Sequence, residues 1–171
     1  MVTSIIIKSL YFFLPVYFAN MAPVLFKWLP FKKPISKKMF GKNKTWRGLI
    51  VAILTGGIVF WVQKILFNAG FVSLAFIDYH DFPLYYGFLL GIGAILGDLV
   101  KSYYKRKVGI KPGDSWLFFD QEDFVIGAFL FSFFYYVPPI EIVFTLFLVS
   151  PFLHMAANYT GHLLGIREKP L

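Results

Sequence analysis

Five stretches of this chain are long and apolar enough to cross a lipid bilayer, and nothing else in the sequence constrains the fold as tightly. A helix rises ~1.5 Å per residue, so about 20 mostly apolar residues cross a ~30 Å hydrocarbon core. Ile5 to Phe26, Gly48 to Leu66, Phe82 to Val100, Phe118 to Tyr136 and Ile140 to Leu164 approach that length. At 58% hydrophobic and 21% aromatic residues, the 171-residue chain carries more apolar surface than a soluble core of its size can hide. The expected fold is an all-α integral membrane protein of about five transmembrane helices in a single domain, 1–171. Pro15 and Pro23 predict a kink or a loose first helix. Gly87, Gly91, Gly93 and Gly97 predict close packing of the third. Pro15, and Pro23 in place of a small-residue cleavage site, make the first run a poor signal peptide. The chain has no cysteine, which excludes disulfides and thiolate chemistry.

Charge lies on one side of the apolar runs. Lys27 to Arg47 holds eight Lys/Arg and no acid, and Lys101 to Lys111 holds five more. Arg167 and Lys169 follow the last run, whereas the segments around Asp78–Asp81 and Pro138–Glu141 contain neither Lys nor Arg. The positive-inside rule therefore predicts two basic cytoplasmic loops, a cytoplasmic C-terminus and an outside N-terminus. Those ends require an odd number of spans.

The second basic segment is also acidic. Gly97 to Asp123 carries five carboxylates and five Lys/Arg between two apolar runs. Carboxylates at a membrane boundary are costly unless paired. Asp120 and Asp123, three apart, share one helical face, and Asp98 reaches the same boundary from the preceding helix. Helix capping accounts for acids at a helix start, and Glu122 is assigned that role alone. Capping does not need Asp98. The three aspartates are therefore candidate ligands for a divalent cation, with Lys101, Lys105, Arg106 and Lys111 placed to meet phosphates.

In the first basic segment, Lys27, Lys32, Lys33, Lys37 and Lys38 read as a collar drawn to anionic headgroups. Gly41 to Gly48 differs: Lys42, Asn43, Lys44, Thr45 and Arg47 stand just before a helix, whose free N–H groups favour anions. The spacing is not that of a Walker P-loop. Tyr103, Tyr104 and Trp116 read as interfacial anchors, with Trp116 also able to stack on a base. His154 and Asn158 read as interhelical hydrogen-bonding partners, His162 as a headgroup contact, and Asp78 and Asp81 as solvated.

Asp98, Ser102, Lys105-Arg106, Lys111 and Asp120-x-x-Asp123 resemble the signature of the CTP:phosphatidate cytidylyltransferases. With KPGDSWLFFDQ and the upstream GKNKTWRG, the chain is most similar to their archaeal branch, the CDP-archaeol synthases. Pro112 replaces an aspartate of the bacterial pattern, and aromatic residues around Phe118-Phe119 replace His-Gly-Gly, which favours an ether-lipid substrate. The resemblance implies a multi-pass cell-membrane enzyme with its site on the cytoplasmic face. It would transfer CMP from CTP to 2,3-di-O-geranylgeranylglyceryl phosphate. It implies Mg²⁺ on Asp98, Asp120 and Asp123, with Lys105 and Arg106 beside them. Lys42, Asn43, Lys44, Thr45, Arg47, Lys101, Lys111, Asp114 and Ser115 would hold the nucleotide. Expected partners are CTP, the lipid phosphate and the bilayer, with no nucleic acid; a homodimer is left open. A diacyl-lipid cytidylyltransferase and a small cation transporter are the alternatives. A CDP-alcohol phosphotransferase is disfavoured because its DGxxAR run is missing, and a purely structural subunit gives no reason for Asp98.

Overall fold

The computed structural model describes residues 2–111, 114, 116 and 119–166. Five α-helices run in order: α1 (Val2–Leu25), α2 (Trp46–Asn68), α3 (Tyr85–Lys107), α4 (Phe119–Ser132) and α5 (Ile140–Leu163). α1, α2 and α5 are long and apolar enough to cross a membrane by themselves. α3 and α4 form the inner pair, and they carry the charge.

α1 runs as a single helix through Pro15 and Pro23. Two boundaries differ from the sequence reading. α3 continues about two turns past its apolar run, so Lys101 to Lys107, expected as loop, is helical and places its charges on defined faces. α4 ends at Ser132, because residues 133–135 turn and Pro138-Pro139 follow. Its 14 residues rise only about 21 Å.

Small residues let the inner pair approach. A Cβ on Gly97 would strike the Asp123 carbonyl, and one on Gly93 would strike that of Gly127. Glycines at these positions therefore bring α3 and α4 close enough for their side chains to share contacts. Gly91 meets Ala52 and Ile53 of α2 in the same way. Above this seam α1 contributes rings: Phe13 and Phe129 lie 5.0 Å apart between centroids, within a core that also buries Phe12, Phe60, Tyr86 and Phe124. α5 is the least enclosed of the three long helices and exposes Phe144, Leu148 and Phe152.

The two ends of the bundle have opposite character. At one end, Lys64 donates to the carbonyls of Tyr79 and Phe82 (2.8 and 2.7 Å), fastening a short 3₁₀ turn, Tyr79–Asp81, over the helices. Asp78 and Asp81 are exposed there, as expected. At the other end lie the C-termini of α1, α3 and α5 and the N-termini of α2 and α4. Arg47 ties the first basic segment down by donating to the carbonyls of Lys27 and Leu29 (2.7 and 2.9 Å). Pro34 and Thr45 pair across it in an isolated antiparallel bridge. Thr45 then caps α2, its hydroxyl accepting from Gly48 N at 3.1 Å.

Candidate active site

The basic end of the bundle encloses a cavity of about 1030 Å³. Its charged floor is built on one face of α3. Asp98, Lys101 and Lys105 are three and four residues apart, the spacing of helical neighbours. This face meets the N-terminal end of α4, which supplies Asp120 and Asp123.

Lys101 is the hub. Its Nζ lies 3.1 Å from Asp98, 3.1 Å from Asp120 and 2.7 Å from Asp123. Lys44, from the first basic segment, pairs with the other oxygen of Asp98. Lys105 reaches both oxygens of Asp120 (3.0 and 3.1 Å) and donates to the Asp114 carbonyl. Trp116 N also donates to Asp120, at 2.7 Å. Three carboxylates thus face three ammonium groups, and the floor is neutral by formal charge. Burial makes that balance matter: the Asp123 side chain is 5% exposed and that of Lys101 13%. In a poorly solvated site, removing one charge leaves another uncompensated.

The three aspartates converge on one point, the Lys101 ammonium. Among the described residues, no three His, Asp or Glu side chains are grouped so as to hold an ion as they stand. The donor set does match magnesium in kind, being all carboxylate oxygen.

Around the floor, the cavity wall includes Lys42, Asn43, Lys44, Thr45 and Arg47 on one side and Ser102, Arg106 and Asp114 on the other. Arg106 keeps two buried donors, Nε and Nη1, without a hydrogen-bond partner, which suits it to an incoming anion. Lys111 is exposed and stands outside this lining. Glu122 also lies apart from the ion-pair network, with one carboxylate oxygen buried and unbonded. Ser115 is outside the described residues, as are the Pro112-Gly113 turn, Phe118, Arg167 and Lys169.

The cavity also recruits residues the sequence reading set aside. Lys27 and Lys32, assigned to a headgroup collar, line it. Asn20 of α1 and His154 and Asn158 of α5 face it as well. An amide inside an apolar run is the signal that Asn20 offered, since such groups turn inward.

Fold and site together define a helical membrane protein with a charged cavity at one end of its bundle, bordered by helices apolar enough to cross a bilayer. A family model described as CarS-like, CDP-archaeol synthase, matches residues 2–171. A CDP-archaeol synthase of Thermococcus onnurineus is 34% identical over 98% of both chains. That of Methanocaldococcus jannaschii is 33% identical over 96% of both. A solved structure of an intramembrane enzyme for archaeal membrane lipid biosynthesis superimposes with a TM-score of 0.69 at 25% identity, covering 87% of this chain and 91% of that one. The chain belongs to the CDP-archaeol synthase family, as its motifs led us to expect, and is a cytidylyltransferase of that type.

Proposed function

We propose that the enzyme transfers CMP from CTP to 2,3-di-O-geranylgeranylglyceryl phosphate, giving CDP-archaeol and pyrophosphate. The observation that carries this reading is the charge-balanced floor, three carboxylates and three ammonium groups at the base of a basic cavity. A phosphate oxygen of the lipid attacks the α-phosphorus of CTP, one P–O bond forms, and the bond to the β-phosphate breaks. The attacking phosphate is already ionised near neutral pH, so no strong general base is required. Catalysis reduces to alignment and neutralisation of charge.

Lys42, Asn43, Lys44, Thr45 and Arg47 would clasp the triphosphate from one wall. Lys105 and the unpartnered donors of Arg106 would hold it from the other. Asp98, Asp120 and Asp123 would hold Mg²⁺, which supplies charge neutralisation for the phosphates and the leaving pyrophosphate. Lys101, which fixes the same carboxylates in the absence of the ion, keeps that donor set together. The positive-inside rule supports a cytoplasmic position for this end of the bundle, where CTP is found, and the enzyme would lie in the cell membrane.

The test is pyrophosphate release by purified protein given Mg²⁺, each of the four ribonucleoside triphosphates and the ether-lipid phosphate. Release with CTP alone among the four, dependent on the lipid, supports the reading. Release with all four, or without lipid, contradicts it.

A further inference from the structure

The charged cavity does not end at its floor. α1 and α5, together with the segments that follow them, are joined at two points. Deep in the bundle, the Tyr17 hydroxyl and Ser150 Oγ share a hydrogen bond of 2.8 Å. At the basic end, Lys27 Nζ donates to the Ile166 carbonyl at 3.3 Å. Between the pins, over roughly the last 12 Å of α1, the seam is not filled. It encloses an apolar chamber of about 230 Å³, whose walls include Tyr17, Met21, Phe124, Leu153 and Ala157.

This chamber adjoins the charged cavity: Asn20, Met21, His154 and Ala157 line both. It is also open outward: Met21 and Leu153, on its two flanks, are each 38% exposed on helices apolar enough to cross a membrane. Where the apolar chamber gives way to the charged cavity, the side chains turn polar. Asn20 stands on α1, and His154 and Asn158, 3.5 Å apart, stand on α5. Polar groups in otherwise apolar helices are costly unless they serve an interior contact. Here three of them gather where the chamber meets the cavity.

A lipid phosphate has that same order of chemistry along its length: apolar chains, an oxygen-bearing glycerol, then an anion. Building on the cytidylyltransferase reading above, we propose that the α1–α5 seam is the port and seat of the lipid substrate. The isoprenoid chains lie against Met21, Phe124, Leu153 and Ala157 and continue out into the bilayer. Asn20, His154 and Asn158 hydrogen-bond the glycerol phosphate and position its attacking oxygen over the charged floor. They are positioning residues, and the floor keeps the nucleotide.

The cysteine-free chain gives a direct test. A single cysteine is introduced at the port, Ala157→Cys, and a second variant, Ile58→Cys, places one on the exposed face of α2. Alkylation by N-ethylmaleimide is followed with and without dialkylglycerol phosphate. The lipid should slow alkylation of A157C at least fivefold and leave I58C unchanged, whereas glycerol phosphate without chains should protect neither. In parallel, Met21→Trp should fill the port, and His154→Ala and Asn158→Ala should strip its polar boundary. Each should raise the KM for the lipid at least tenfold while CTP affinity stays within twofold of the wild type. An enzyme that turns over CTP normally while A157C goes unprotected, or while M21W keeps the wild-type lipid KM, overturns the port alone. A wild-type protein with no lipid-dependent turnover of CTP, whatever the alkylation result, overturns the functional reading and the port as a substrate path with it.

Discussion

Replacing Lys101 with methionine removes the hub of the cavity floor while keeping most of its volume. Three carboxylates then face only Lys44 and Lys105, leaving one negative charge uncompensated. At about 3 Å and an effective dielectric near 20, each lost pair is worth roughly 5 kcal/mol of Coulomb energy. Most of that is offset, because the buried ammonium no longer has to be desolvated. Removing one partner of a buried ion pair typically costs about 3–5 kcal/mol net. For a chain of this size that predicts a fall in Tm of roughly 6–20 °C. The assay is thermal unfolding of detergent-purified protein with chelator present. Among the described residues, Lys101 is the one ammonium group paired with Asp123. Adding Asp123→Asn to Lys101→Met should therefore recover at least half the loss. Magnesium should raise the Tm of the single variant by more than that of the wild type, since the ion no longer competes with the ammonium for the same oxygens. A Tm within about 2 °C of wild type, or a double variant no more stable than the sum of the singles, would refute the account of Lys101 as internal counter-ion.

Other perturbations act on other parts of the site. Gly97→Ala sets a methyl group on the Asp123 carbonyl and must push α4 off α3, costing about 1–3 kcal/mol. Turnover should fall further than stability, because Asp120 and Asp123 move with α4. Thr45→Ala deletes the α2 cap and should lower stability by about 0.5–2 kcal/mol, read by thermal unfolding. Lys44→Gln removes a charged donor from the wall proposed to hold the triphosphate and should weaken CTP binding by roughly 10–100-fold in a direct titration. Asp123→Asn in the otherwise intact enzyme should lower kcat by about 10²–10³ in the pyrophosphate assay while the protein stays folded.

Much of this was legible in the sequence, for identifiable reasons. Apolar length gives the helices, and the clustering of Lys and Arg gives a single basic end. The three aspartates stood out because carboxylates beside apolar runs are hard to explain otherwise. What the sequence hid was the helical continuation of α3. Its charge reads as loop, yet Asp98, Lys101 and Lys105 follow helical spacing, and only a helix sets them on one face with both lysines reaching the α4 aspartates. The role of Lys101 was obscured for a related reason. A lysine between acids and a nucleotide reads as a phosphate ligand, and its pairing with carboxylates from two helices depends on how closely the glycines let α3 and α4 approach. Asn20 and the His154–Asn158 pair are more than 130 residues apart in the chain, so no local pattern joins them. The seam between α1 and α5 does.

The central claim is a transfer of CMP to lipid, and the fate of labelled phosphorus tests it most directly. Purified enzyme is given CTP labelled at the α-phosphate or at the γ-phosphate, together with Mg²⁺ and the ether-lipid phosphate, and the products are extracted into organic solvent. The account predicts that α-label moves into the lipid phase while γ-label leaves as water-soluble pyrophosphate. Recovery of γ-label in the lipid, or of α-label only in water-soluble CMP, would contradict it.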